Sequence, residues 1–232
     1  MLPAAISLGI SASVRLRADT QVRARSTSFD DEVVFDLSDL RPCPDHWINF
    51  LIGVITRLQK EGLHIRGFDV LFASDLPLGS GLSSSAAMEV LCYYMLWKLH
   101  RTDEPEMLKL AKDCQRIEQD FIGVKCGIMD QFAVAFGKKD NAIQLDCNTL
   151  AFTYVPLLVQ DHVLLIIDTK KPRTLAASAY NERRKECDDA LAILQQHRPV
   201  QNLVQATEHD LGLLKNPVLR KRTLHALSEQ QR

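Results

Sequence analysis

The chain lacks any apolar run long enough to cross a bilayer. Its longest, such as Val163 to Ile167, falls far short of the roughly 20 residues a spanning helix needs, so no transmembrane helix is expected. Glycine and proline are sparse, 10 and 9 of 232 residues, which excludes collagen-like and low-complexity chains. Neither sign of charge dominates. With 28 Lys+Arg against 29 Asp+Glu, the net charge of -1 offers no one-sided basic surface to nucleic acid or to an anionic membrane, so any phosphate chemistry must come from a local site. The six cysteines, Cys43, Cys92, Cys114, Cys126, Cys147 and Cys187, include no Cys-x-x-Cys pair and have no His-rich partner region. Neither a disulfide scaffold nor a zinc site is signalled, and the thiols read as reduced, mostly buried and cytosolic. Met1 to Ile6 carry no positive stretch leading into a long apolar core, so the start is not read as a signal peptide but as a point inside a domain.

What is present is ordinary globular composition, 46% hydrophobic and 25% charged, enough for one large domain or two small ones. Ile6 to Val14, Thr20 to Arg25 and Val33 to Leu37 read as short strands between polar turns. Phe50, Leu51, Val54, Ile55 and Leu58 recur at helical spacing in Trp47 to Lys60, a helix ended by Gly62. Gly67 to Ser74 is a strand that runs into a Gly/Ser loop. The helix that follows, Met88 to Leu99, has only Glu89 and Lys98 charged and should be buried almost all round. A helix over Glu104 to Ile122 is capped by Thr102 or Asp103 and places Glu118 on the stripe of Met107, Leu110, Ala111, Cys114 and Phe121. Beyond lie a short apolar segment to Phe136, a turn Gly137 to Asp140, strands at Ala142 to Leu145 and His162 to Ile167, a polar helix from Thr174 to Gln196, and a helical tail. Pro156 to Asp161 is the best place for a boundary, and there is no internal repeat.

A strand entering a Gly/Ser loop that opens a buried helix brings backbone N–H groups and the helix dipole together on an anion. Gly79 and Gly81 allow close backbone approach, and Ser83, Ser84 and Ser85 add hydroxyl donors. The loop has neither the Gly-Lys-Ser/Thr of a Walker motif nor Gly-x-Gly-x-x-Gly. The bland alternative is a Ser-rich capped turn that binds nothing. Glu118 is alternatively a misjudged helix face, and Asp130 a helix cap. A phosphate loop, however, needs a divalent cation, hard oxygen ligands for it and a carboxylate near the acceptor hydroxyl, and the chain supplies candidates for each.

Pro77-Leu78-Gly79-Ser80-Gly81-Leu82-Ser83-Ser84-Ser85-Ala86 resembles the second signature of the GHMP small-molecule kinases, named for galactokinase, homoserine, mevalonate and phosphomevalonate kinases. Cys126-Gly127-Ile128-Met129-Asp130-Gln131-Phe132 is similar to the galactokinase branch in particular. So are Asp168-Thr169-Lys170-Lys171-Pro172-Arg173 and Ser178-Ala179-Tyr180-Asn181-Glu182-Arg183-Arg184. The resemblance implies an α/β fold of the two-domain, α+β GHMP type, with mixed sheets packed against helices. Residues 1–158 would form the N-terminal domain and 159–232 the beginning of the second, with the active site between them. It implies ATP-dependent phosphorylation of galactose at the C1 hydroxyl. Gly79, Ser80, Gly81, Leu82, Ser83, Ser84 and Ser85 would wrap the ATP phosphates, and Ser85 and Glu118 would hold Mg²⁺. Asp130 would be the catalytic carboxylate, Gly127 a backbone contact to the sugar, Tyr180 a galactose ligand, and Ser26 a nucleotide-side serine. Tyr180, on its residues alone, reads as an exposed helical tyrosine.

The family's first signature, like Gly-Arg-Val-Asn-Leu-Ile-Gly-Glu-His-Thr-Asp-Tyr, and its late glycine-rich third signature are not in the sequence. The expectation is therefore a central part of such a kinase, inactive alone, monomeric and cytoplasmic, with no nucleic-acid or membrane partner. Two alternatives remain: a related N-acetylgalactosamine kinase, and a non-catalytic regulator that binds galactose and ATP. Such regulators can lack residues after the serine run, whereas Ala86 and Ala87 are present here.

Overall fold

The computed structural model describes residues 1–44, 46–77, 79–158, 162–167 and 179–231. The chain falls into two units, Met1–Arg173 and Thr174–Arg232.

The first unit is built on a four-stranded mixed sheet of β1 (Ile10–Leu16), β2 (Gln21–Ser26), β3 (Glu32–Asp36) and β4 (Phe68–Ser74), in the order β1-β4-β2-β3. β4 runs antiparallel to β1 and parallel to β2, and β2 and β3 form a hairpin. Alternation sends Val22, Ala24, Phe68, Val70 and Phe72 into the core and leaves Arg23, Arg25 and Leu71 on the open face. β1 lies four residues later at its start than its sequence pattern suggests. Pairing decides this, since Ile10 sits opposite Ser74 and Leu16 opposite Phe68.

Helices α1 (Asn49–Lys60), α2 (Ser84–His100) and α3 (Met107–Ile117) complete this core. α2 is buried on nearly every side, as its composition requires. Gly53 lets α1 approach α3 closely: a Cβ there would stand 2.5 Å from Cγ2 of Ile117, the residue before Glu118. Asp113 ties the three helices. Its carboxylate, only 2% exposed, accepts from Arg57 at 2.7 Å, from Lys109 at 2.5 Å and from Tyr93 at 3.3 Å. Burial pushes that carboxyl up, but Lys109 and Arg57 outweigh it and hold the group below the ordinary carboxylate range. A carboxylate with a depressed folded value adds stability above its unfolded value, and that stability is lost as pH falls through the folded one. Asp113→Ala is accordingly expected to cost about 1.5–3 kcal/mol at pH 7, the scale of hydrogen bonds to charged groups, with the difference from wild type shrinking below about pH 4. Urea melts at the two pH values check it; an equal loss at both would mean that packing, not charge, is what Asp113 contributes.

The helix expected over Glu104 to Ile122 changes character near its end. α3 stops at Ile117 and a π-helical turn, Glu118–Ile122, takes over, with no side-chain cap from Thr102 or Asp103 at the start, where Glu106 precedes the first turn. α4 (Met129–Phe136) packs on the hairpin of β5 (Asn141–Leu145) and β6 (Phe152–Pro156). Phe132 stacks on Phe136 at 4.3 Å, Phe152 meets Phe132 edge-on at 5.2 Å and Phe136 at a tilt at 5.1 Å, and the fully buried Phe132 alone is worth about 1.5–3 kcal/mol of burial. Residues 162–167, read from their apolar run as a strand, form no ladder, and Val163 is 89% exposed. A β-rich pattern without a neighbouring edge makes no strand.

The second unit is helical. α5 (Ala179–Gln195) and α6 (Pro217–Gln231) enclose a small core of Ala190, Leu194, Val200, Leu203, Leu214 and Leu219. The segment Asp168 to Ser178, which carries part of the third resemblance motif, lies outside the described residues, as does Leu78. All six cysteines are free. Only Cys92 and Cys114 are buried, fewer than their sequence context suggests; Cys43 and Cys147 are exposed.

Candidate active site

The parallel strands β2 and β4 end side by side, Ser26 opposite Phe72, and the Gly/Ser loop leaves from the end of β4. Crevices at such strand ends are where α/β sheets place ligands. Asp75 fastens the loop's base by exchanging hydrogen bonds with the backbone of Gly9. The loop then turns through left-handed conformations at Gly79 (φ 69°), Gly81 (φ 80°) and Ser83 (φ 55°). Glycine meets two of these without strain; Ser83 accepts the third at some cost. Repeated positive φ of this kind turns successive N–H groups to one side, a concavity suited to anions.

α2 begins at once, with Ser84. Ser83, which precedes it, makes no side-chain cap hydrogen bond, and no acidic residue stands in the first turn. The leading N–H groups of a 17-residue helix thus have neither a side-chain cap nor an acidic residue of the helix's own first turn to occupy them. Ser80 and Leu82 are half-buried and Gly79 and Gly81 exposed, so the loop's surface is open. Ser26, at the end of β2, accepts from the Ser28 N–H at 3.2 Å. Beside it lies a feature the sequence reading passed over: Phe29 stacks parallel on Trp47 at 6.0 Å, and Trp47 meets the edge of Phe72.

Ser85, on the first turn of α2, lies close enough to the Glu118 carboxylate, on the π-helical turn, to lower its pKa. Cys126 lies close to the same carboxylate and Gln131 donates to it, Nε2 reaching Oε2 at 2.5 Å. Glu118 is 5% exposed, so the stripe position was read correctly. Burial pushes its carboxyl up despite these three neighbours, and the charge of Asp130 pushes in the same direction. Asp130 therefore lies within electrostatic reach of Glu118. It is half-buried on the first turn of α4. The intervening loop is clamped to the helix behind it: Gln119 and Gln115 donate to the Cys126 carbonyl at 2.6 and 3.3 Å, and the Val124 N–H donates to the Glu118 carbonyl at 2.9 Å. Gly127 is exposed, with open space where a Cβ would stand. Tyr180 belongs to the second unit, exposed at the start of α5, and is assigned no position relative to the loop.

Two further buried polar groups escaped the sequence reading. Gln131, fully buried, also donates to Glu89 Oε2 at 3.3 Å, and Glu89 is fully buried in the middle of α2. Burial and then the charge of Glu118 push the Glu89 carboxyl up to about 9, Gln131 offsetting only part, so it is neutral at pH 7.

The donor set suits a small hard cation: a hydroxyl and a carboxylate close together, with a second carboxylate within electrostatic reach. Among the described residues no cluster of three or more His, Cys, Asp or Glu is able to hold a metal by itself. A cation here would take the rest of its oxygens from phosphate and water, as Mg²⁺ commonly does.

Residues 49–138 match the family model for the GHMP kinases N terminal domain. Over its whole length the chain is 43% identical, across 240 aligned positions, to the galactokinase of Clostridium acetobutylicum, of which it covers 61%. It is 42% identical over 242 positions to that of Levilactobacillus brevis, covering 62%. The fold matches the crystal structure of Lactococcus lactis galactokinase complexed with galactose with a TM-score of 0.89 at 36% identity, over 98% of this chain and 61% of that one. The mevalonate kinase of Methanococcus jannaschii, TM-score 0.57 at 13% identity over 96% of this chain and 69% of its own, shares the fold. The chain thus spans about three fifths of the length of the curated galactokinases it matches. No helix among the described residues is long and apolar enough to cross a membrane.

Proposed function

We propose that the protein carrying this chain, whose residues 49–138 match the model of the GHMP kinases N terminal domain, transfers the γ-phosphoryl group of ATP to the C1 hydroxyl of galactose. The observation that carries this reading is the placement of Ser85, at the end of the Gly/Ser loop, within electrostatic reach of Glu118, which Asp130 also reaches. The choice of sugar rests on identity to galactokinases across the whole chain.

In this reading the backbone of Gly79 to Ser85 and the open N-terminus of α2 hold the phosphate oxygens, and Ser26 faces the nucleotide. Ser85 and Glu118 would hold Mg²⁺, which when bound neutralises the charge that builds on the phosphates. Asp130 orients the sugar hydroxyl and takes its proton as the oxygen attacks phosphorus. Gly127 offers backbone to the sugar, its missing side chain leaving the approach clear, and Tyr180 is a further galactose contact. The protein acts as a cytoplasmic monomer.

The test is ADP release from ATP and Mg²⁺ by the purified protein with galactose, N-acetylgalactosamine or mevalonate as acceptor. Galactose should exceed each of the others in kcat/KM by about tenfold or more, the discrimination a shaped pocket readily supplies. Faster turnover of N-acetylgalactosamine would overturn the sugar assignment. Binding of galactose and ATP without ADP release would replace the kinase by a sensor.

A further inference from the structure

Glu118 is held on two sides. Ser85, on the first turn of α2, and Cys126 lie close to it on one side, and Gln131 reaches it from α4, one residue after Asp130. Gln131 has no freedom of its own: its side chain is fully buried, its single amide nitrogen serves both Glu118 Oε2 at 2.5 Å and Glu89 Oε2 at 3.3 Å, and Cys126 Sγ lies 3.9 Å away. Its amide oxygen and the second oxygen of Glu89 are both buried without a hydrogen-bond partner among the described residues. An orphaned buried oxygen costs free energy comparable to a lost hydrogen bond, so packing alone would favour apolar residues at both positions. The strain is tolerated where the one good contact serves the site.

We propose that Gln131, anchored by Glu89, is a positioning residue that fixes the rotamer of Glu118 and so sets the affinity of the protein for Mg²⁺ bound with nucleotide. This rests on the reading of Glu118 as a metal ligand given above. The geometry makes one unit of three helical segments: Glu89 stands one turn after Ser85 on α2, Glu118 on the π-helical turn, and Gln131 beside Asp130 on α4. A carboxylate free to rotate would present either oxygen to a cation; one oxygen bonded to Gln131 leaves the other for the loop side. Groups that orient a metal ligand from behind commonly carry about 10–100-fold in metal affinity.

The experiment is thermal melting of the purified protein with ADP alone and with ADP over a Mg²⁺ titration, for wild type, Gln131→Met and Glu118→Gln. Gln131→Met keeps the side-chain volume and removes the donor. It should retain the stabilisation by ADP alone and need about tenfold or more Mg²⁺ for half of the additional, metal-dependent rise in Tm. The same Mg²⁺ requirement as wild type, with Glu118→Gln shifted, overturns the positioning role and leaves the metal ligand standing. An unshifted Glu118→Gln overturns the ligand and the positioning role together. If Gln131→Met does not fold, Glu89 decides. Glu89→Gln, which still presents an oxygen to Gln131 Nε2, should keep the wild-type Mg²⁺ requirement, and Glu89→Leu, which releases Gln131, should raise it. Equal requirements in these two variants would refute the proposal.

Discussion

Asp130→Asn is expected to lower turnover roughly 10²–10⁴-fold while changing the dissociation constant for ADP less than about twofold. Asparagine has the size of aspartate and suits the first turn of α4 equally, so the packing of Phe132 and Phe136 on the β5–β6 hairpin should survive. What is lost is an acceptor for the hydroxyl proton. That loss is felt in the transition state, where the sugar oxygen gives up its proton, and not in the ground state, where nucleotide is held by the loop and α2. Steady-state kinetics together with calorimetric ADP titration separate the two. A variant retaining a tenth or more of wild-type turnover would remove Asp130 from the chemistry.

Glu118→Ala carries the second large effect, a rise of about tenfold or more in the Mg²⁺ needed for half-maximal rate, with the KM for galactose nearly unchanged. The stability of the protein without ligands separates this from a purely structural role. Glu118 is a carboxylate kept from water, and Asp130 adds to its cost. A residue buried at such expense for ligand binding should be replaceable with only a small fall in Tm, because relief of the buried carboxylate offsets much of the cost of the four-atom cavity and of the Gln131 donor left without its acceptor. A large drop in Tm with an unchanged Mg²⁺ requirement would make Glu118 a packing residue instead.

Much of this site is legible in the residues, and the reasons are physical. The Gly/Ser loop is visible because backbone curvature needs glycine at Gly79 and Gly81 and because the helix after it is apolar on nearly every side. Glu118 is visible as a carboxylate on a stripe that periodicity assigns to the core. Glu89 carried a comparable signal, the one charge in the interior of that apolar helix, but an isolated charge names no partner, and Gln131 is only intelligible once α4 is folded against α2. The π-helical turn at Glu118–Ile122 leaves no mark in a 3.6-residue pattern, since the extra residue is absorbed locally. α4, eight residues long, is too short for periodicity to declare. β6 and the unladdered residues 162–167 fail for the opposite reason: strand propensity describes a half-buried surface, and which edge covers it is decided by the rest of the fold.

Phosphorus NMR of the reaction tests the central claim most directly. The purified whole protein that carries this chain, incubated with ATP, Mg²⁺ and galactose, should deplete the γ-phosphate signal and produce ADP together with one new phosphomonoester, coupled to the anomeric proton of the sugar. Asp130→Asn, run in parallel, should form this product at the reduced rate given above. A phosphomonoester on any other hydroxyl, or ADP with inorganic phosphate and no sugar product, would contradict the account.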